Sequence, residues 1–412
     1  MAWYTDKCLS AGEAGWMIAG VSMRSAGVRD QLAPQDCLYT LTEKSADGDK
    51  VQLIGAVAEV LLASTDREAI IARMAAPECR IVSFTVTEKG YCRTAQGDLD
   101  LELAGAGFYP LVAEALAARQ KAGLPGLTLL SCDNLAENGK QLARLMEQWI
   151  AANMPDLADW FRTQCTAPES MVDRIVPATT DAELAEVEAQ LGLRDAGAVF
   201  TEPFSQWVIE DRFANGRPGW ETHGVQLVDA VAPYETAKLR MLNGAHSLLA
   251  YAGLDAGHTF VHQAVGDPRL RGLAEQLMQD AIATITPGAG QDLVRYAGEL
   301  IDRFANPALN HRLEQIAMDG SQKIPQRWLA TLAIRQERGL QSEAILTGIA
   351  AWLRHVKGDR RRVDDPLAGP LAAAWDAHGR EGIVEAIFGP DGLLGANWSP
   401  DQHSRSALLA LI

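Results

Sequence analysis

The sequence predicts an α/β domain on a parallel sheet, followed by an all-helical domain, and two observations lead there. Through residues 1–228 strand-like and helix-like stretches alternate, the pattern of parallel strands joined by crossover helices. From Asp229 to Ile412 the pattern is helical almost alone. Size agrees, because 412 residues that are 48% hydrophobic provide apolar material for two cores.

Residues 15–23, GWMIAGVSM, read as a buried strand, with a short helix at 28–32. Residues 38–41 and 51–62 read as extended, 66–74 as helical, and 80–87, RIVSFTVT, as a β-branched central strand. A helix over 109–121, a strand over 127–131 and a helix over 139–152 follow. The first domain closes with an extended piece at 171–176, a helix near 181–191 and an extended run at 198–208. In the second domain, helices are expected at 233–251, 268–284, 292–305, 307–318, 326–335 and 342–356, with shorter ones to the end. Asn306-Pro307 and Pro287-Gly288 punctuate them.

The charge balance excludes whole classes of partner. Lys and Arg number 37 against 53 acidic residues, net −16, which disfavours nucleic acid and anionic membrane. No apolar run approaches the roughly 18 residues of a membrane helix, and the first residues show neither a basic start nor an apolar segment of the secretory kind. Six scattered cysteines without a C-x-x-C, and eight scattered histidines, point to reduced thiols and to no metal site. A cytoplasmic protein is expected, a monomer or small homo-oligomer, acting on a small molecule.

Residues 233–251, PYETAKLRMLNGAHSLLAY, organise the second domain. Pro233 suits a first helical position, Glu235 lies in the first turn, and Gly253 marks the end. At about 100° per residue, Lys238, His246 and Asn243 fall within a sector of roughly 140° that also holds Leu239 and Leu242. A lone His on such a face is ordinarily a core residue, and a lone Lys ordinarily snorkels to water. Lys-x4-Asn-x2-His together is a combination that can bind an oxygen and move its proton.

Two loops close predicted strands. Thr87-Glu88-Lys89-Gly90-Tyr91 follows one and Ser131-Cys132-Asp133-Asn134 the next, so both are expected to face one crevice beyond the carboxyl ends of a parallel sheet. Each alone is an ordinary turn. With the Lys-x4-Asn-x2-His helix, Met171-Val172-Asp173-Arg174-Ile175, Pro177-Ala178-Thr179-Thr180, the Glu202–Asp211 run and Asp319-Gly320-Ser321-Gln322-Lys323-Ile324-Pro325, they resemble the long-chain mannitol dehydrogenase family, in order and over most of the chain.

The resemblance implies a Rossmann-like first domain, NAD as cofactor, and a sugar acid or polyol as substrate. It implies that Lys238 is the catalytic acid/base, that Asn134 and Asn243 donate amide hydrogens to the reacting oxygen, and that His246 and Asp173 hold substrate hydroxyls. Glu235 would relay the proton, Lys323 would meet the far end of the substrate, and Glu88 and Arg24 would contact the cofactor. The chemistry is coherent without a metal: hydride addition to a ketone builds negative charge on oxygen, and preorganised amides stabilise it. Leu239 and Leu242 beside Lys238 are expected to lower its pKa toward useful base strength.

Glu88-Lys89-Gly90, residues 20–25 (GVSMRS) and Gln35-Asp36 are more similar to the fructuronate reductase branch of this family. There Lys89 would help to hold a carboxylate; its alternative reading is a solvated lysine in a tight turn. D-mannonate/D-fructuronate is the favoured pair and mannitol/fructose the alternative. The family's opening strand and Gly-rich phosphate loop have no counterpart here: Gly105-x-Gly107 and Gly288-x-Gly290 are in the wrong places. Weak NADH binding is therefore expected, and a catalytically silent relative is a further alternative.

Overall fold

The computed structural model describes residues 1–308 and 310–412, and divides into two compact units, Met1–Ala232 and Pro233–Ile412. The first unit carries β1 (Ile18–Ser22), β2 (Tyr39–Glu43), β3 (Lys50–Ile54), β4 (Val57–Leu62), β5 (Ile81–Phe84), β6 (Thr128–Ser131), β7 (Ser170–Asp173), β8 (Val199–Thr201), β9 (Gln206–Glu210) and β10 (Gln226–Val228). β1 pairs parallel with β4, β2 with β8, β5 with β6, and β9 with β10. Antiparallel pairs join β2 to β3 and β7 to β9. All four residues of β6 are buried, as expected for a strand covered on both faces.

The largest core of this unit lies where Phe84, Leu127 and Leu129 meet Tyr109, Val112 and Leu116 of the Tyr109–Lys121 helix, and Leu142, Leu145 and Met146 of the Asn138–Asn153 helix. Arg119 is buried beneath it. Its Nε donates to the Pro125 carbonyl at 2.9 Å and its Nη1 to those of Met74 and Ala76 at 3.1 and 2.6 Å, so a cation closes the end of the Arg67–Ala75 helix.

Four sequence expectations are corrected here. The run 51–62 is two strands, because the Gly55 N–H donates to Asp6 Oδ1 at 2.7 Å and the chain turns from β3 into β4. The run 198–208 breaks into β8 and β9 around Glu202-Pro203, where proline has no N–H to donate. The strand expected over 80–87 ends at Phe84, and Thr87–Gly90 forms one helical turn. The helix expected over 307–318 is only Leu313–Ile316, with Leu309 outside the described residues. Its neighbouring stretch is extended, with Phe260 bridged antiparallel to Arg312 and the Val261 and Leu313 N–H groups donating to the carbonyls of His311 and Thr259.

The second unit is helical around a central rod made of Ala232–Ala237, Lys238–Asn243 and Gly244–Asp255. From Ser247 to Leu254 every side chain of the rod is buried, as expected of a helix walled on all sides. The Pro268–Ile282, Leu313–Ile316 and Glu343–Val356 helices supply those walls. Gly253 lies inside the rod, not at its end. A Cβ there would sit 2.9 Å from both Ala264 Cβ and Leu313 Cδ1, so glycine serves close packing. No helix among the described residues is long and apolar enough to cross a membrane.

Candidate functional site

The central rod is not one regular α-helix. Lys238–Asn243 winds as a π-helix, with i→i+5 bonding, between two α-helical segments. Bonds spaced five residues apart bring residues five apart into line. Lys238 and Asn243, which an α-helix would set about 140° apart, therefore stack on one face. Regular α-helix resumes at Gly244, and His246 follows three residues after Asn243 on the adjoining face. The three-residue face is thus tighter than the sequence's wheel implies.

A second π-helical segment, Pro325–Leu329, interrupts the helix that runs from Gly320 to Glu337. Pro325 lacks the N–H that an α-helix would use, which is a local cause of the altered register. The two π segments lie against each other. Where the register of the rod changes, its carbonyls take side-chain donors: Trp328 Nε1 donates to the Gly244 carbonyl at 3.0 Å, and Arg327 Nη1 to that of Asn243 at 3.4 Å. Arg327 Nη1 also donates to Ser247 Oγ at 2.8 Å.

His246 is half-buried, its ring 4.5 Å from that of Phe304 and 5.3 Å, edge-on, from that of His311. Burial, then His311, Arg303 and Arg327, hold its pKa well below the ordinary histidine value. Burial also lowers His311 and His355. Between these lowered values and the ordinary value of about 6.5, the folded chain binds fewer protons than the unfolded chain, so stability rises with pH across that window. The contribution is complete above about pH 6.5 and is lost as pH falls below it. The thermal midpoint, followed by scanning fluorimetry, is expected to drop from pH 7.5 to pH 5.5, and His246→Gln is expected to flatten part of that drop. A midpoint that holds or rises on acidification would contradict the buried neutral imidazoles.

Lys238 and Glu235 are half-buried, one turn apart. Lys323 stands on the facing helix, its Nζ donating to the Met318 carbonyl at 2.5 Å and lying 3.9 Å from Asp319 Oδ2. Burial and then Arg327 lower its pKa.

In the first unit, the two loops singled out by sequence meet because β5 and β6 are parallel neighbours. Asp133 ties them: its carboxylate accepts from the N–H groups of Val86 and Thr87 at 3.0 and 2.9 Å and from the Tyr91 hydroxyl at 2.9 Å. Those bonds divert the chain from the sheet into the Thr87–Gly90 turn, with Thr87 at a left-handed φ of 62°. Asn138 ties the second loop to β7: its Nδ2 donates to the carbonyls of Asp133 and Ser170 at 3.1 and 2.7 Å, and its Oδ1 accepts from the Ser170 N–H at 3.0 Å. Asp173, buried, ends β7. Asn134 is exposed on its loop, as are Glu88 and Lys89. Arg24, also exposed, follows β1 and is close enough to the Thr87–Gly90 turn to act on the Cys92 thiol. Burial pushes the Cys132 thiol up to about 11, which keeps it protonated at neutral pH.

Sequence reasoning passed over Asp133 and Asn138, which read as turn and cap residues, and Arg327 and Trp328. For Arg327 a signal existed, since it lies one helical turn after Lys323. Nothing in the sequence marks where an α-helix widens.

Comparison with known proteins gives the family. Residues 2–222 match the model of the mannitol dehydrogenase Rossmann domain and residues 230–385 that of the mannitol dehydrogenase C-terminal domain. D-mannonate oxidoreductase of Escherichia coli is 42% identical over 415 residues, covering 95% of this chain and 85% of that protein. Mannitol 2-dehydrogenase of Phaeosphaeria nodorum is 36% identical over 416 residues, covering 95% of this chain and 73% of that protein. Among solved structures, Pseudomonas fluorescens mannitol 2-dehydrogenase in a ternary complex with NAD and D-mannitol superposes with a TM-score of 0.78, at 35% identity, over 100% of this chain and 87% of that one.

Proposed function

Because the chain belongs to the mannitol dehydrogenase family, we propose that it is an NAD-dependent dehydrogenase that interconverts D-mannonate and D-fructuronate. The observation that carries the reading is the π-helical segment that stacks Lys238 and Asn243 on one face with His246 adjoining. Three polar side chains so aligned suit the oxygen of a carbinol or ketone.

The cofactor is tested against the residues at the carboxyl ends of β1 and β5. Ser25, Thr85, Thr87 and Glu88 present hydroxyls and a carboxylate at exposed positions, and Arg24, next to Ser25 in the chain, is exposed as well. That set fits a molecule rich in ribose hydroxyls and phosphate, and Glu88 and Arg24 would hold it. When bound, the nicotinamide supplies the hydride chemistry. The remaining steps belong to the chain. Lys238 takes the proton from the substrate oxygen in oxidation and returns it in reduction. Asn243 donates an amide hydrogen to that oxygen as its charge grows, and Asn134 is assigned the same kind of donation. His246, held neutral by its surroundings, and Asp173 bind substrate hydroxyls; Glu235 passes the Lys238 proton onward. Lys323 meets the far end of the substrate. Lys89, exposed on its turn, is assigned to the substrate carboxylate.

Arg327, whose charge reaches His246, with Lys323 one turn away on its own helix, favours a substrate with a carboxylate over a neutral polyol. The 42% identity to a D-mannonate oxidoreductase points the same way. Mannitol/fructose is the second reading, favoured by the fit to the mannitol-bound structure. Steady-state reduction with NADH is expected to prefer fructuronate to fructose in kcat/KM. A tenfold preference for fructose, about 1.4 kcal/mol in transition-state binding, would replace this reading with the second.

A further inference from the structure

Arg327 is under-used for a half-buried guanidinium. Among the described residues only its Nη1 is engaged, by the Asn243 carbonyl and Ser247 Oγ, and no carboxylate lies within 4.0 Å of it. Its Nε and Nη2 are not enclosed unpartnered atoms, so they reach accessible surface. Burial pushes its pKa down to about 10, with only Tyr251 acting in the other direction. Uncompensated buried charge is costly, and an Arg in such a place ordinarily has an anion to meet. Lys323, one turn away on the same helix, adds a second cation; its own neighbours are Asp319 and the Met318 carbonyl. A planar fork beside a point charge matches a carboxylate better than it matches a hydroxyl.

We infer that Arg327, assisted by Lys323, is the anchor for a terminal carboxylate on the ketose substrate, held through the guanidinium edge that the central rod leaves free. The anchor rests on the sugar-acid reading above and sets specificity: Nη1 fixes the guanidinium to the rod at Asn243 and Ser247, so the carboxylate is gripped at a set distance from the face that carries Asn243 and His246. A neutral polyol gains nothing from this edge.

The test is the selectivity of Arg327→Gln, which keeps an N–H donor for the rod but no charge. Its KM for fructuronate is expected to rise about tenfold to a hundredfold, the range of a charge-assisted pair, with kcat little changed. Its kcat/KM for fructose should stay within about threefold of wild type, because no anion is lost. Equal losses on both ketoses would reduce Arg327 to a brace for the rod and overturn the anchor, as would an unchanged fructuronate KM. A wild type that prefers fructose, or reduces neither ketose, would overturn the sugar-acid reading and the anchor with it, whereas a wild type that prefers fructuronate with an unselective variant sinks the anchor alone. Should Arg327→Gln show no cooperative thermal transition, Arg327→Lys decides. It keeps the charge but not the fork, and is expected to raise the fructuronate KM about tenfold; no rise would overturn the assignment.

Discussion

Lys238→Ala is expected to lose about 10²- to 10⁴-fold in kcat, the usual scale for a positioned acid/base, while KM for the ketose changes little. The expectation follows from the register of the rod. Under π-helical spacing Lys238 and Asn243 share one face, so on the proposed reading removing the amine leaves the substrate oxygen with a hydrogen-bond donor and no proton exchange. Lys238→Arg should be nearly as slow, since a guanidinium does not release its proton at neutral pH. The alkaline dependence of kcat should disappear in both variants. Stopped-flow single turnovers would separate this step from product release. A variant within tenfold of wild type, with its pH profile intact, would remove Lys238 from the acid/base role and move the search to another group on the His246 face.

Gly320→Ala is expected to destabilise the second unit by about 2–3 kcal/mol, the upper range for forcing an atom into a closed core. A Cβ at this position would collide with the Tyr251 hydroxyl and lie 2.6 Å from Trp352 Nε1, and both rings are fully buried. The Tyr251 hydroxyl donates to the Ala317 carbonyl at 2.9 Å, so the tyrosine cannot retreat without losing that bond. Asp319, just before, already holds a left-handed φ of 55° that sets the helix start, and Ser321 just after is fixed by its N–H and hydroxyl to the Asp365 carboxylate at 2.7 and 2.5 Å. The strain would pass along this helix to Lys323 and Arg327. For a unit of this size the thermal midpoint should fall by roughly 5–10 °C. Gly298→Ala is the control: nothing lies within 4 Å of its Cβ on an exposed helix face, and a change of about 0.5–1 kcal/mol toward stability is expected there. If Gly320→Ala melts like wild type, the contact between the Gly320 turn and the Tyr251–Trp352 pair is looser than these distances state.

Most elements of the first unit could be read from residue types, because their signals are local. The Tyr109–Lys121 helix and the Thr128–Ser131 strand are dense apolar runs ended by Ala122-Gly123 and by polar Cys132-Asp133, and both formed as expected. Apart from 198–208, where Pro203 breaks the run locally, the failures share a cause. At 51–62, 80–87 and 307–318 a local run of suitable residues was overruled by a partner distant in sequence: Asp6 at Gly55, Asp133 at Val86 and Thr87, and the 259–261 stretch at 311–313. A single hydrogen bond to a carboxylate some 46 to 49 positions away leaves no trace in the local pattern.

By itself the sequence determined the order of the two kinds of unit and pointed to the family they belong to. Alternation of strands and helices, and then helices alone, follows from hydrophobic period; Lys238, Asn243 and His246 on one helix follow from their spacing; the strand-end loops follow from turn residues. Only the tertiary structure decided how those residues are aimed. The π-helical register of Lys238–Asn243 exists because a second helix, altered at Pro325, lays Arg327 and Trp328 against the rod and satisfies carbonyls where its bonding pattern changes. A helix of lone sequence would keep its α bonds, since a widened turn with unmet carbonyls costs free energy that no neighbour along the chain repays. The partner stands some 84 residues away, beyond the reach of any local pattern.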